Sequence, residues 1–181
     1  SVIIYAALRL HAVPANDPAL LRARAFIAGG GGPLAAAPWG KFLLCLLGLY
    51  DYRGINPVAP ELWLLPTQLP VHPSRLWCHT RMVYLPMSYL YGVRMQMPVD
   101  ERVRAIRAEL YDQPYETIDW EAARDRVARS DDQTPLTSLM RSANRALLAY
   151  ESLPIKPLRK RALGFVLEQV RGEDENTKYV C

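Results

Sequence analysis

Cysteine is scarce in this sequence: Cys45, Cys78 and Cys181 are the only three among 181 residues. Their odd number, their apolar surroundings and the lack of any C-x-x-C pair argue against a disulfide framework and fit a reducing compartment. Long apolar runs are missing as well. None approaches the ~18–20 residues that a membrane span needs, and the densest, Phe42–Tyr50, is half that length and reads as a buried helix. No basic segment followed by an apolar core and a small-residue cleavage site stands at the start. Lysine is rare, with four against 18 arginines, so the net charge of +4 is spread along the chain as a solvated, salt-bridged helix surface. The one local basic cluster, KPLRKR at 156–161, lacks the interleaved aromatics of a nucleic-acid platform. It suits anionic lipid headgroups equally, and no nucleic-acid partner is expected. Gly29–Gly32 follows no strand and precedes no G-K-[ST], which argues against a phosphate loop and for a helix-to-helix connection. No cofactor and no metal are expected.

What is present is half hydrophobic, enough for one domain that buries about 70% of the surface of its unfolded chain. The chain starts inside an apolar helical pattern, without an initiator methionine, and stops without a terminating signal. The expectation is an internal piece of a longer protein, a single partial domain over 1–181. Helical periodicity dominates. Val2–His11 reads as the tail of a helix. Asp17 caps a helix through Ala28 that opens with Pro18 and carries Leu20, Ala23 and Ile27 on one side. A third helix is expected over 39–50.

Seven prolines between Pro57 and Pro98 then predict short, kinked or irregular elements. Trp63, Leu64 and Leu65 form an apolar patch there, either buried or lipid-facing. Regular amphipathic helices return with Val99, Val103, Ile106 and Leu110, with a short helix capped by Asp119 through Ala128, with Leu136–Tyr150 behind Thr134 and Pro135, and with Ile155–Val170. Nothing demands a strand. The pattern is all-α, in antiparallel helix pairs.

The stretch 73–97 concentrates the unusual residues. Trp77, Thr80, Tyr84, Met87 and Tyr91 share one helical face, interrupted by Pro86. Such stripes are usually core, but Thr80, Arg81 and Ser88 break this one, and buried polar groups must find partners. His79 is about 200° from Trp77 on a continuous helix, so the two can line one cavity only if the helix begins close to them.

The run LWCHTRMVYLPMSYLYG at 76–92 resembles the segment WCHCRxVYLPMSYxY of the oxidosqualene cyclases. PWGKFLLCLLGLYDYRGINPVAPELWLLP upstream and DENTKYVC at the end agree in order and spacing. The likeness runs from near Tyr5 to Cys181, strong over 38–97, thin over 99–172 and strong again over 174–181. It implies an α/α barrel, here partial, with 57–98 as an irregular cavity and channel segment. It also implies 2,3-oxidosqualene as substrate and monotopic association with lipid in the endoplasmic-reticulum membrane or on lipid droplets. The proline-rich belt and Tyr84–Gly92 would be the candidate lipid surface.

The resemblance also assigns the site. Positions matching Trp39, Trp77 and His79 line the family's cavity, and the separations agree, 38 residues from Trp39 to Trp77 and two more to His79. Aromatic faces attract the carbocations of a polyene cyclisation by ~0.5–2 kcal/mol each, and a waterless cavity keeps those cations from being quenched. The residue matching His79 holds a tyrosine near a late cation, and a histidine there points to the sterol-forming branch. Thr80 and Tyr84, an i, i+4 pair, match a cysteine–tyrosine constriction through which substrate enters, with threonine as the departure. Arg81 and Tyr89 read as structural partners. The general acid of the family, an aspartic acid in D-C-T-A-E, is missing, as are the Q-x-x-x-G-x-W repeats. These 181 residues alone are therefore expected to be inactive. DENTKYVC and MSYLYG favour cycloartenol as product. Lanosterol, a non-sterol triterpene or a non-enzymatic helical scaffold are the alternatives.

Overall fold

The computed structural model describes residues 1–69, 72–133 and 135–179, and every regular element among them is helical. The chain divides into two compact units, residues 1–56 with 96–137, and residues 57–95 with 138–181.

The first unit holds α1 (Val2–Leu10), α2 (Pro18–Gly29), α3 (Pro38–Leu46), α5 (Glu101–Leu110) and α6 (Trp120–Ala123). Three aspartate side chains start helices, Asp17 and Asp119 where the sequence places caps and Asp100 in addition. The carboxylate of Asp17 accepts the N–H of Ala19 at 2.7 Å, that of Asp100 the N–H of Val103 at 2.8 Å, and that of Asp119 the N–H of Ala122 at 3.0 Å. The apolar side of α5, Val103, Ile106 and Leu110, is buried. Next to it, Glu109 takes the hydroxyl of Tyr5 at 2.6 Å and a forked pair of bonds from Arg9 at 2.7 and 2.8 Å, tying α5 to α1.

Two helices end earlier than their periodicity suggests. The third stops at Leu46 rather than near Tyr50 because Gly48 adopts φ +68°, and the N–H of Leu49 turns back onto the Leu44 carbonyl at 2.8 Å. The apolar run beyond it, which looked helical, goes instead into the core, with Leu49 and Tyr50 fully buried. Likewise α6 stops at Ala123, not Ala128. The ammonium of Lys41, 1% exposed, takes the carbonyls of Ala123, Arg124 and Arg126 at 2.7, 3.0 and 2.6 Å. Its three hydrogens match three acceptors that would otherwise serve helix continuation. Tyr50, Tyr111 and Tyr115 pack edge-on or tilted around Trp120 at 4.7–5.7 Å, completing this core.

The second unit is built on α4 (Cys78–Gly92), α7 (Ser138–Ser152) and α8 (Lys156–Asn176), with 3₁₀ turns at Pro60–Leu64 and Pro73–Arg75. Ala162 and Val166 of α8 are buried, and α8 packs against both α4 and the first of these turns. Gly92 permits that approach, since a Cβ there would stand 2.8 Å from Leu163 and 3.0 Å from Pro60. Arg159 pairs with Glu61 and Glu151, and Arg94 pairs with Glu151 at 2.8 Å. The proline-rich segment is irregular as expected except for α4, which runs through Pro86 for 15 residues. Thr134 and Cys181, named above as a cap residue and as a cysteine, lie outside the described residues. No helix among the described residues is long and apolar enough to cross a membrane.

Candidate functional site

Local chain geometry in the second unit decides where the aromatic rings fall. His72 closes the Pro73–Arg75 turn, and its Nδ1 accepts the N–H of Ser74 at 3.0 Å. Leu76 (φ −68°, ψ 151°) and Trp77 (φ −55°, ψ 145°) follow in extended conformation, and the helix begins only at Cys78. Trp77 is therefore the N-cap of α4 and not a member of its first turn. Freed from the helical wheel, its ring meets the His79 imidazole edge to face, with centroids 4.5 Å apart and planes at 82°. The condition read from the sequence, a helix starting beside these two residues, is met.

Both rings stand in the open within this unit. Trp77 is 71% exposed, His79 and Thr80 are also exposed, and Leu69, Leu76 and Val83 add large apolar surface nearby. The stripe read from the sequence thus divides. Its first half, with Thr80, is exposed; its second half packs. The ring of Tyr84 leans on Trp63 at 6.2 Å, and burial pushes its phenol up to about 12. Tyr91 is fully buried under the Arg94 guanidinium, which lies 4.0 Å from its ring centroid. Trp39, the second residue of α3, belongs to the first unit and is 51% exposed there.

Two of the three polar residues that interrupt the stripe find partners, and the third, Thr80, is exposed. Ser88, fully buried, donates to the Leu85 carbonyl at 2.6 Å and accepts the indole N–H of Trp63 at 3.1 Å. Arg81 donates to the Ser74 carbonyl at 2.8 Å, a structural role as expected. Trp63 and His72 were not among the predicted site residues. The signal for His72 was the His–Pro step before a proline-led turn, where a side-chain acceptor can cap the next amides. Chemically, the segment offers an aromatic and an imidazole ring side by side on an apolar surface, braced from behind by hydrogen bonds.

The family description of the squalene-hopene cyclase N-terminal domain matches residues 1–179. Among characterised proteins, the chain is 44% identical over 176 residues to a cycloartenol synthase of Dictyostelium discoideum, covering 97% of the chain and 25% of that protein. It is 45% identical over 181 residues to protostadienol synthase A of Neosartorya fischeri, covering 100% of the chain and 24% of that protein. It is 42% identical over 176 residues to the lanosterol synthase of Homo sapiens, covering 97% of the chain and 24% of that protein. The chain therefore spans about a quarter of the length of these relatives.

Proposed function

The chain belongs to the oxidosqualene cyclase family, and we propose that it forms part of the cavity wall of an enzyme that cyclises (S)-2,3-oxidosqualene to cycloartenol. The observation that carries this reading is the Trp77–His79 pair, held edge to face at the start of α4. In the cyclisation, positive charge moves from carbon to carbon. A tryptophan face attracts such a cation without offering a lone pair that would trap it, at ~0.5–2 kcal/mol per desolvated contact. An imidazole beside that face supplies a polar edge that holds a hydroxyl group or the ring itself in place. Thr80 and Tyr84 line the path by which substrate enters.

The proton that opens the epoxide comes from a carboxylic acid outside these 181 residues, so this segment by itself binds but does not convert. Association with the endoplasmic-reticulum membrane or with lipid droplets belongs to the same reading. The exposed Leu69, Leu76 and Val83 supply an apolar surface for it.

Expression of the complete reading frame in a host lacking its own sterol cyclase tests the proposal, with the non-saponifiable lipids identified by mass spectrometry. Accumulation of cycloartenol supports it. Lanosterol, protostadienol or a pentacyclic alcohol would retain the reaction and reject the product, and absence of any cyclised product would reject the reaction. The near-equal identities to cycloartenol and protostadienol synthases make protostadienol the second reading.

A further inference from the structure

His72 is a buried group that the proposed reaction leaves unused. It is 5% exposed and lies seven residues before His79. Its Nδ1 accepts the Ser74 N–H at 3.0 Å and lies 2.7 Å from the Ser74 hydroxyl. An acceptor at Nδ1 places the ring hydrogen on Nε2. That Nε2 has no partner among the described residues, so the Nδ1 contacts are the polar contacts that fix the ring's rotation. The carbonyl of His72 takes the N–H of Arg75 at 3.0 Å, so backbone and side chain of one residue together close the turn.

The turn is then fastened to α4 at two levels. Arg81, in the first turn of the helix, donates to the Ser74 carbonyl. Trp63 stands edge-on to the His72 ring at 6.4 Å and donates its indole N–H to Ser88, farther along the same helix. Two extended residues, Leu76 and Trp77, bridge the clamped turn and the helix start. A bridge that short has no slack, so the position of the turn sets the position of the Trp77 ring against His79.

We infer that His72 is a positioning residue for the Trp77–His79 pair, acting through the Ser74 cap and the Arg81 tie, an inference that rests on the proposed cyclisation. His72 touches neither ring. It fixes the turn from which they are hung. Misplacing a catalytic group by about 1 Å can cost on the order of 10²-fold in rate, and a cationic cascade converts such an error into different products as well as slower ones.

The test uses the full-length protein with (S)-2,3-oxidosqualene, measuring kcat, KM, the product set and Tm for His72→Ala, His72→Asn and Arg81→Gln. Asparagine places an amide oxygen where Nδ1 stands and caps the same N–H. The expected result for His72→Ala is a kcat lower by about ten- to a hundredfold, KM within about twofold, and the same diverted products that His79→Ala gives. His72→Asn returns the main product with kcat within about threefold of wild type. Arg81→Gln, which leaves His72 in place, diverts products as His72→Ala does. An unchanged product set in His72→Ala, or in Arg81→Gln should the alanine variant fail to fold, overturns the positioning role. So does a folded His72→Asn that is no better than the alanine variant. If wild type cyclises nothing, the proposed reaction itself fails; if wild type cyclises and the variants match it, the positioning role fails alone.

Discussion

Trp77 and His79 stand ring edge to ring face at 4.5 Å, although residues two apart on a continuous helix diverge by about 200°. Extended backbone at Trp77, with ψ 145°, makes this possible, because it places the tryptophan just before the helix and the histidine inside it. Replacing the ring therefore removes an aromatic face without disturbing the helix. In the full-length enzyme, Trp77→Ala is expected to lower kcat by about 2- to 30-fold, the equivalent of one lost cation–π contact. Trp77→Phe, which keeps a weaker ring, should fall between that variant and wild type. Equal rates for all three would remove Trp77 from the site.

Lys41 is a structural cation. Its ammonium satisfies three backbone carbonyls in the segment after α6. Lys41→Met fills a similar volume and removes the donor from all three, leaving the Ala123 carbonyl only its bond from the Arg126 N–H, for an expected loss of about 2–4 kcal/mol. Urea denaturation would measure it, and a loss below about 0.5 kcal/mol would show that water replaces the ammonium.

Gly54 has no room for a side chain. A Cβ there would lie 2.5 Å from the Tyr50 ring and 3.1 Å from the backbone oxygen of Trp120. Overpacking of this kind costs about 1–3 kcal/mol, so Gly54→Ala should lower Tm, while Gly164→Ala, with nothing within 4 Å of its would-be Cβ, should not. Comparable melting of both variants would contradict this view of the aromatic core.

How far could the residues alone be read? Asp17 and Asp119 announce their helices because capping is local, one side chain reaching amides two or three residues on. The ends of α3 and α6 were hidden. Gly48 sits inside an apolar run that keeps helical spacing, and the residue that stops α6 is Lys41, more than eighty positions away in sequence. Trp77, His79, Thr80 and Tyr84 stand out through their likeness to a family segment, and their role in binding substrate is a proposal. The contacts that join Trp63, His72, Ser74 and Ser88 could not be read in the same way, because they follow no period and link an irregular segment to a helix.

The stability of the first unit should depend on pH at both ends through one cluster. Burial alone would raise the pKa of Glu109, but the bonds from Arg9 and Tyr5 outweigh it and hold the carboxyl below its ordinary 4.5. A lowered folded value means that the stabilisation is present above pH 4.5 and is lost as pH falls through that lowered value. Burial and the bond to Glu109 push Tyr5 up to about 12 from 10.0. A raised value means that its contribution is present below pH 10 and is lost as pH rises through 12. Glu109→Gln should therefore be less stable than wild type at pH 7, with the gap narrowing below pH 4.5. Tyr5→Phe should flatten the alkaline limb. A gap independent of pH would contradict the assignment.

In the proposed reaction Trp77, just before α4, and His79, in its first turn, steer a carbocation from rings held 4.5 Å apart. The most direct measurement is the product set of full-length His79→Ala incubated with (S)-2,3-oxidosqualene and resolved by gas chromatography and mass spectrometry. The expected outcome is a folded enzyme that still consumes substrate but releases truncated or rearranged skeletons in place of the wild-type product. The wild-type product alone, formed at the wild-type rate, would contradict it.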